Sequence, residues 1–303
     1  MKSLVLGTAQ WGWSVDRSGA FLLLDNWLKA GYSEIDIATN YPINKRPEDF
    51  KAAEKILAEY IHAHGLTQQL RITMKIGSMS NMGTPDVNLS PSFILIMAHE
   101  YRRVLGKNLT GIMLHWDNRS EAAEIELSMA ALNTLSQEGF RPGLSGIKHP
   151  EIYAKINETL DLSLDIELKH NPFVSDYDRY KLHFSADKHR FLAYGLNAGG
   201  LKFSGQKGQD AQTFDLRGGQ IAHFEAKLAK IEAMLPDWNL AFVRPPIVTM
   251  NHLGMVYALC SSPIGGAVIG PRTPAQMQEA ITWHRNTDMF DYSDVVKWVL
   301  KIS

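Results

Sequence analysis

Asp36, Tyr41, Lys75 and His115 are the residues of this sequence whose types and spacing could do chemistry together. Each lies at or just past the end of a stretch that reads as a short buried strand: SEIDIATNY (33–41), LRITMKIG (70–77) and NLTGIMLHW (108–116). A carboxylate, a phenol, an ammonium and an imidazole brought to one point make a proton-donating site. Singly, each has an ordinary structural role as an ion-pair partner, a packed ring or a solvated strand end. All four at strand ends, in this order, ask for a common explanation.

The elements that must position them follow a β/α rhythm. Strands are expected at 3–9, 33–38, 70–76, 110–115, 142–147, 163–169, 190–195 and 265–270. Helical spacing runs through 21–31, 50–65 and 91–106, each stopping at a glycine, with Ser90 an N-cap before Pro91. It continues through 120–138, 149–160, 175–186 (weakly), 219–235, 274–285 and 292–301, and through 238–259 with a break at Pro245-Pro246. Alternation of this kind predicts an α/β fold, a (β/α)8 TIM barrel with its active site at the C-terminal ends of the strands, where residues far apart in sequence converge. The Gly-rich polar loop 195–219 would then lie at the active mouth.

At 303 residues, 45% hydrophobic and 21% charged, the chain suits one barrel domain over 1–303 with a large core. A formal net charge of −1 gives no reason to expect nucleic acid or an anionic membrane surface, so the expected partner is a small molecule. No stretch of about 20 apolar residues is present to span a bilayer, and the N-terminal apolar run is too short for a signal peptide. Those features fit a cytoplasmic enzyme. Cys260, the only cysteine, sits in an apolar helical stretch and reads as a buried thiol. No G-x-G-x-x-G follows the first strand, no P-loop is present, and neither a zinc-binding helix nor a nucleophile elbow is spelled out; no metal is expected.

The order and spacing also resemble the aldo-keto reductases, NAD(P)(H)-dependent barrel enzymes. LGTAQWG (6–12) is similar to their first strand, Asp36 and Tyr41 to their aspartate followed five residues later by tyrosine, Met74-Lys75 to their lysine strand and Met113-Leu-His115-Trp116 to their histidine strand. Leu192-Ala-Tyr194 with Ala198-Gly199-Gly200-Leu201 resembles the turn that holds nicotinamide and pyrophosphate, and 267–277 resembles the adenosine-phosphate segment. Many members open with a hairpin plugging the barrel floor; this sequence begins on the first strand, so that plug is expected to be reduced or missing.

The resemblance implies an aldehyde or ketone, sugar-derived in one reading, interconverted with its alcohol: Tyr41 gives the proton, Lys75 eases its loss, Asp36 holds Lys75, and His115 orients the substrate oxygen. It places Thr8, Ser145, Glu167, Tyr194, Gly195, Gly200, Leu201, Gly270, Arg272, Gln276 and Glu279 at the cofactor. Arg272 after the eighth strand favours NADP(H) through a 2′-phosphate, with NAD(H) left open. Trp11, Trp13 and Trp116 would wall the substrate pocket. Three positions depart from the family: Gly146 and Glu167 replace the asparagine and glutamine that usually grip the carboxamide, and Ala280 replaces an asparagine after Glu279. A carboxylate beside the nicotinamide would favour the oxidised ring, and so a dehydrogenase, unless Lys169 neutralises it. The residues leave open a cofactor-binding regulatory or redox-sensing subunit with little turnover, and a barrel hydrolase or isomerase.

Overall fold

Eight runs of aliphatic and β-branched residues form a closed, all-parallel barrel in the computed structural model, which describes residues 1–83, 86–204, 221–261 and 263–302. The strands are β1 (Ser3–Gly7), β2 (Glu34–Ala38), β3 (Arg71–Ile76), β4 (Leu109–His115), β5 (Arg141–Ser145), β6 (Asp165–Lys169), β7 (Arg190–Tyr194) and β8 (Ile264–Ile269). Each pairs with its neighbour in sequence, and β8 returns to β1, with Leu4 opposite Ala267. This is the (β/α)8 architecture that the strand rhythm predicts.

The helices are α1 (Arg17–Lys29), α2 (Ala52–Ala63), α3 (Pro91–Leu105), α4 (Ala122–Gln137), α5 (Pro150–Leu160), α6 (Tyr177–Tyr180), α7 (Ile221–Ala241), α8 (Met250–Cys260), α9 (Pro274–Met289) and α10 (Ser293–Lys301). Helix α1 starts ahead of its apolar run because Asp16 accepts from Gly19 N at 2.7 Å. Ser90 stands at the N-cap of α3, but its hydroxyl donates to Asn88 Oδ1 at 2.9 Å, so that helix entry rests on Pro91. The weak pattern at 175–186 yields only the single turn α6. Helix α7 runs through Pro236 to Ala241, and the break with Pro245 and Pro246 then precedes α8. Of the polar loop after β7, residues 205–219 lie outside the described residues. No helix among the described residues is long and apolar enough to cross a membrane. Cys260, expected buried, is half-buried, and burial pushes its thiol up to about 11.

The main core lies between strands and helices, with Leu23, Leu24 and Trp27 of α1 and Ile94 and Ala98 of α3 packed against the barrel wall. A second, smaller cluster of Val5, Met113 and Leu192 fills the barrel interior. Met113 fits because Gly143 faces it: a Cβ there would stand 2.5 Å from Met113 Cγ.

Below that layer, the floor is closed by charge. Ser3, Glu34, Arg71, Arg141, Asp165 and Arg190 are the first residues of their strands. Arg190 reaches Asp165 at 2.5 and 3.0 Å, Glu34 at 2.9 Å and Ser3 Oγ at 3.0 Å, while Arg141 adds a 3.0 Å contact to Asp165. Removing the guanidinium leaves two carboxylates, both less than a fifth exposed, short of their main partner. We expect Arg190→Met to cost about 2–4 kcal/mol of stability in urea unfolding. A cost below about 0.5 kcal/mol would mean the ring is solvated decoration.

Candidate active site

The C-terminal ends of the strands surround a cavity of about 1010 Å³ lined by Asp36, Tyr41, Lys75, His115, Trp11, Trp116 and Ser145 on one side and by Gly270, Arg272, Gln276 and Glu279 on the other. Tyr194, Gly195, Gly200 and Leu201 lie along it. The four residues of the expected proton-donating site therefore share one wall. Strand geometry puts them there. Asp36 sits one residue past Ile35, which pairs with Leu6, while Lys75 pairs with Ala38 on one side and Met113 on the other, and His115 pairs with Ser145.

The turn after β2 carries Tyr41. It is held by Thr39 N to Lys75 O at 3.1 Å, Thr39 Oγ1 to Ser78 O at 2.8 Å and Tyr41 N to Ala38 O at 3.2 Å. The Tyr41 ring meets His115 edge-on, with centroids 6.5 Å apart, and the Lys75 ammonium lies 5.2 Å from the Tyr41 ring centre. Lys75 Nζ donates to Asp36 Oδ2 at 2.7 Å and to Glu167 Oε2 at 2.8 Å, and Ser145 Oγ donates to Glu167 Oε2 at 3.4 Å. The Lys75, Asp36 and Glu167 side chains are 4%, 3% and 1% exposed, so solvent screens none of these contacts.

Burial governs the electrostatics of the site. It would lower Lys75, but Asp36 and Glu167 reverse the effect and hold the ammonium well above its usual range. Burial, then the charge of Glu167, pushes Asp36 up to about 7 against the pull of Lys75. His115 is held well below its usual range by burial and then by Lys75, so its ring is neutral. Among the described residues its Nδ1 has no hydrogen-bond partner, and neither does Asp36 Oδ1.

Three expected contacts fall elsewhere. Glu167 is not among the described residues lining the cavity; its carboxylate turns to Lys75, so the expected bias toward the oxidised ring loses its geometric basis. Lys169, the expected neutraliser, lines the cavity instead. Thr8 is buried between β1 and β2, where its hydroxyl donates to Asp36 O at 3.0 Å, and Trp13 also lies off the cavity wall. Gly146 has a backbone φ of 67°, in the left-handed region that favours glycine. A Cβ there would stand 2.5 Å from Trp116 Cδ1, so Trp116 occupies the room a side chain at 146 would need.

The far end of the cavity is formed by two turns, each held by an amide side chain. Gln276 Oε1 accepts from Arg272 N at 2.8 Å and pins the turn from β8 into α9, while Asn171 Nδ2 donates to Gly195 O at 2.9 Å and fixes the turn after β7. Lys202 adds a second cation to the lining. Sequence reasoning missed His252, which pairs with Glu279 at 2.5 Å and stacks on Trp283 at 4.2 Å along this wall. It also missed Asn40 and Asn81 on the wall near Tyr41; adjacency to Tyr41 was the signal for Asn40. Among the described residues no group of three or more His, Cys, Asp or Glu side chains could hold a metal ion.

Comparison with known proteins agrees with this geometry. An uncharacterized 11.2 kDa protein in the crtE 3′ region of Pseudescherichia vulneris is 38% identical over 80 residues, 25% of this chain and 74% of that relative. The profile of the Aldo/keto reductase family matches residues 3–289. With a barrel that converges Asp36, Tyr41, Lys75 and His115 on one cavity wall, the chain belongs to the aldo/keto reductase family and is an oxidoreductase acting on carbonyl compounds.

Proposed function

We propose that residues 1–303 work as one NAD(P)(H)-dependent domain that interconverts an aldehyde or ketone and its alcohol, with Tyr41 as the proton donor and NADP(H) as the favoured cofactor. The observation that carries this reading is the single cavity joining Tyr41 and His115 to Arg272 and Gln276. Its volume lies at the upper end for small-molecule sites, which suits a ligand as long as a dinucleotide. The residues fit such a group. Arg272 and Lys202 offer cations for phosphates, the Gly195–Leu201 turn offers backbone, and Ser145 and Tyr194 lie nearer the Tyr41 end.

A dinucleotide held there would supply the hydride chemistry at the carbonyl carbon. The protein does the rest. Tyr41 gives its proton to the carbonyl oxygen and regains one from solvent. The neutral His115, its Nδ1 sealed off, holds that oxygen through Nε2 and fixes its distance from Tyr41. Asn40, Asn81 and Lys45 make the wall near Tyr41 polar, which suits a hydroxylated, sugar-derived carbonyl compound.

The test is a fluorescence titration using the seven tryptophans, of which Trp11, Trp116 and Trp283 line the cavity. Saturable quenching by micromolar NADP(H) is expected. Arg272→Ala should weaken NADP(H) by roughly 10–100-fold and leave NAD(H) within about two-fold, the loss of a charged bidentate contact. Binding without turnover of any carbonyl compound would favour the regulatory subunit, and no binding of either dinucleotide would withdraw the reading.

A further inference from the structure

Lys75 is held by two carboxylates rather than one. An ammonium has three N–H donors, and here one goes to Asp36 at 2.7 Å and one to Glu167 at 2.8 Å. One pair would leave a neutral unit behind Tyr41; two carboxylates on one ammonium, both ionised once the pH exceeds the Asp36 value of about 7, leave an excess of negative charge in a place that solvent does not reach. We propose that Glu167 is a positioning residue of the proton-donating site: with Asp36 it fixes the Lys75 ammonium, and its charge offsets the pull of Lys75 on the Tyr41 proton.

Other groups facing this point do not cancel that charge. Asp36 on β2 adds to it, His115 on β4 is neutral, Ser145 on β5 donates a hydrogen bond without charge, and Tyr194 on β7 is held as phenol chiefly by burial. Lys169, two residues along β6, forms no ion pair with Glu167. Burial, opposed by Lys75 but reinforced by Asp36 and Glu167, pushes the Tyr41 phenol up to about 12. Tyr41 thus keeps its proton well into alkaline solution, ready to give to a carbonyl oxygen and reluctant to take one from an alcohol. The device favours carbonyl reduction, the opposite of what a carboxylate against the nicotinamide would favour.

The proposal rests on Tyr41 as the proton donor, so its test begins without cofactor. Tyrosinate absorbance after a rapid pH jump, taken as the difference between each protein and its Tyr41→Phe counterpart, isolates the Tyr41 step. In Glu167→Gln the ionised fraction of Tyr41 at about pH 11 should rise roughly five-fold, as for a midpoint lowered by about one unit. Glu167→Met, uncharged and without an amide, should do the same and serves if the Gln variant fails to fold. Glu167→Asp keeps the charge and should restore the wild-type midpoint. A midpoint unmoved in both uncharged variants, whatever their stability, overturns the proposal, because a merely structural role lowers stability without shifting the titration. Where turnover is measurable, the alkaline fall in kcat for reduction should move to lower pH in Glu167→Gln. If wild type neither binds dinucleotide nor turns over, the functional reading fails while the cofactor-free titration still decides the role of Glu167.

Discussion

Tyr41→Phe should lower kcat for carbonyl reduction by roughly 10²–10⁴, while the dinucleotide dissociation constants stay within about two-fold. The substitution removes one oxygen from a ring held by its backbone turn and by its edge-on contact with His115, so the site keeps its shape. In the proposed mechanism, what is lost is the proton that the carbonyl oxygen needs as the alcohol forms, equivalent to about 3–5 kcal/mol of the activation barrier. Steady-state kinetics beside a fluorescence titration separates the two effects. A variant retaining more than about a tenth of wild-type kcat would transfer the donor role to another group on the cavity wall.

Lys75→Met should be the most damaging substitution for stability, and its damage should depend on pH. Removing the ammonium leaves Asp36 and Glu167 buried against each other with no cation between them. Asp36 is already pushed up to about 7 by burial and then by Glu167, with Lys75 pulling the other way; without Lys75 it must rise further. A carboxyl whose folded value exceeds its unfolded value of about 3.9 favours the fold in its protonated form. That contribution is complete below the unfolded value and is lost as pH rises through the folded one. The variant's deficit against wild type should therefore be smallest up to about pH 7 and widen above it by up to about 1.4 kcal/mol per pH unit, so that it is about 1–1.5 kcal/mol larger at about pH 8 than at about pH 5. Urea unfolding at the two pH values measures this, and an equal loss at both would mean that the carboxylates are not the source of the damage.

How far the sequence reveals this molecule depends on how local the responsible interaction is. The strands are legible because each is a short aliphatic run closed by polar residues, and the side chains that end them point to one mouth once the barrel closes. Asp36, Tyr41, Lys75 and His115 are legible for that reason, and in the structure they meet on one wall. Glu167 could be placed on its strand but not given its partner. Its contact with Lys75 joins β6 to β3 across the barrel interior, ninety-two residues apart, and no periodicity encodes such a pair. Glu279 was placed, but its pairing with His252 escaped for the same reason, since the two come together from α8 and α9. Thr8 was assigned by its neighbours in the LGTAQWG run, whereas its hydroxyl is spent tying β1 to β2. The floor ions went unread, because Glu34, Arg71, Arg141 and Asp165 lie within two residues of the expected strand starts but which acid meets which base depends on barrel closure: Glu34 on β2 reaches Arg190 on β7.

Trp116 and Gly146 show what such non-local fitting means for the shape of the site. The indole fills the space that a side chain at 146 would take, so a Cβ at 146 meets the ring as it now stands, and a smaller residue at 116 leaves a hole. The place of that indole in the cavity wall is thus set by an atom that the neighbouring strand end does not carry.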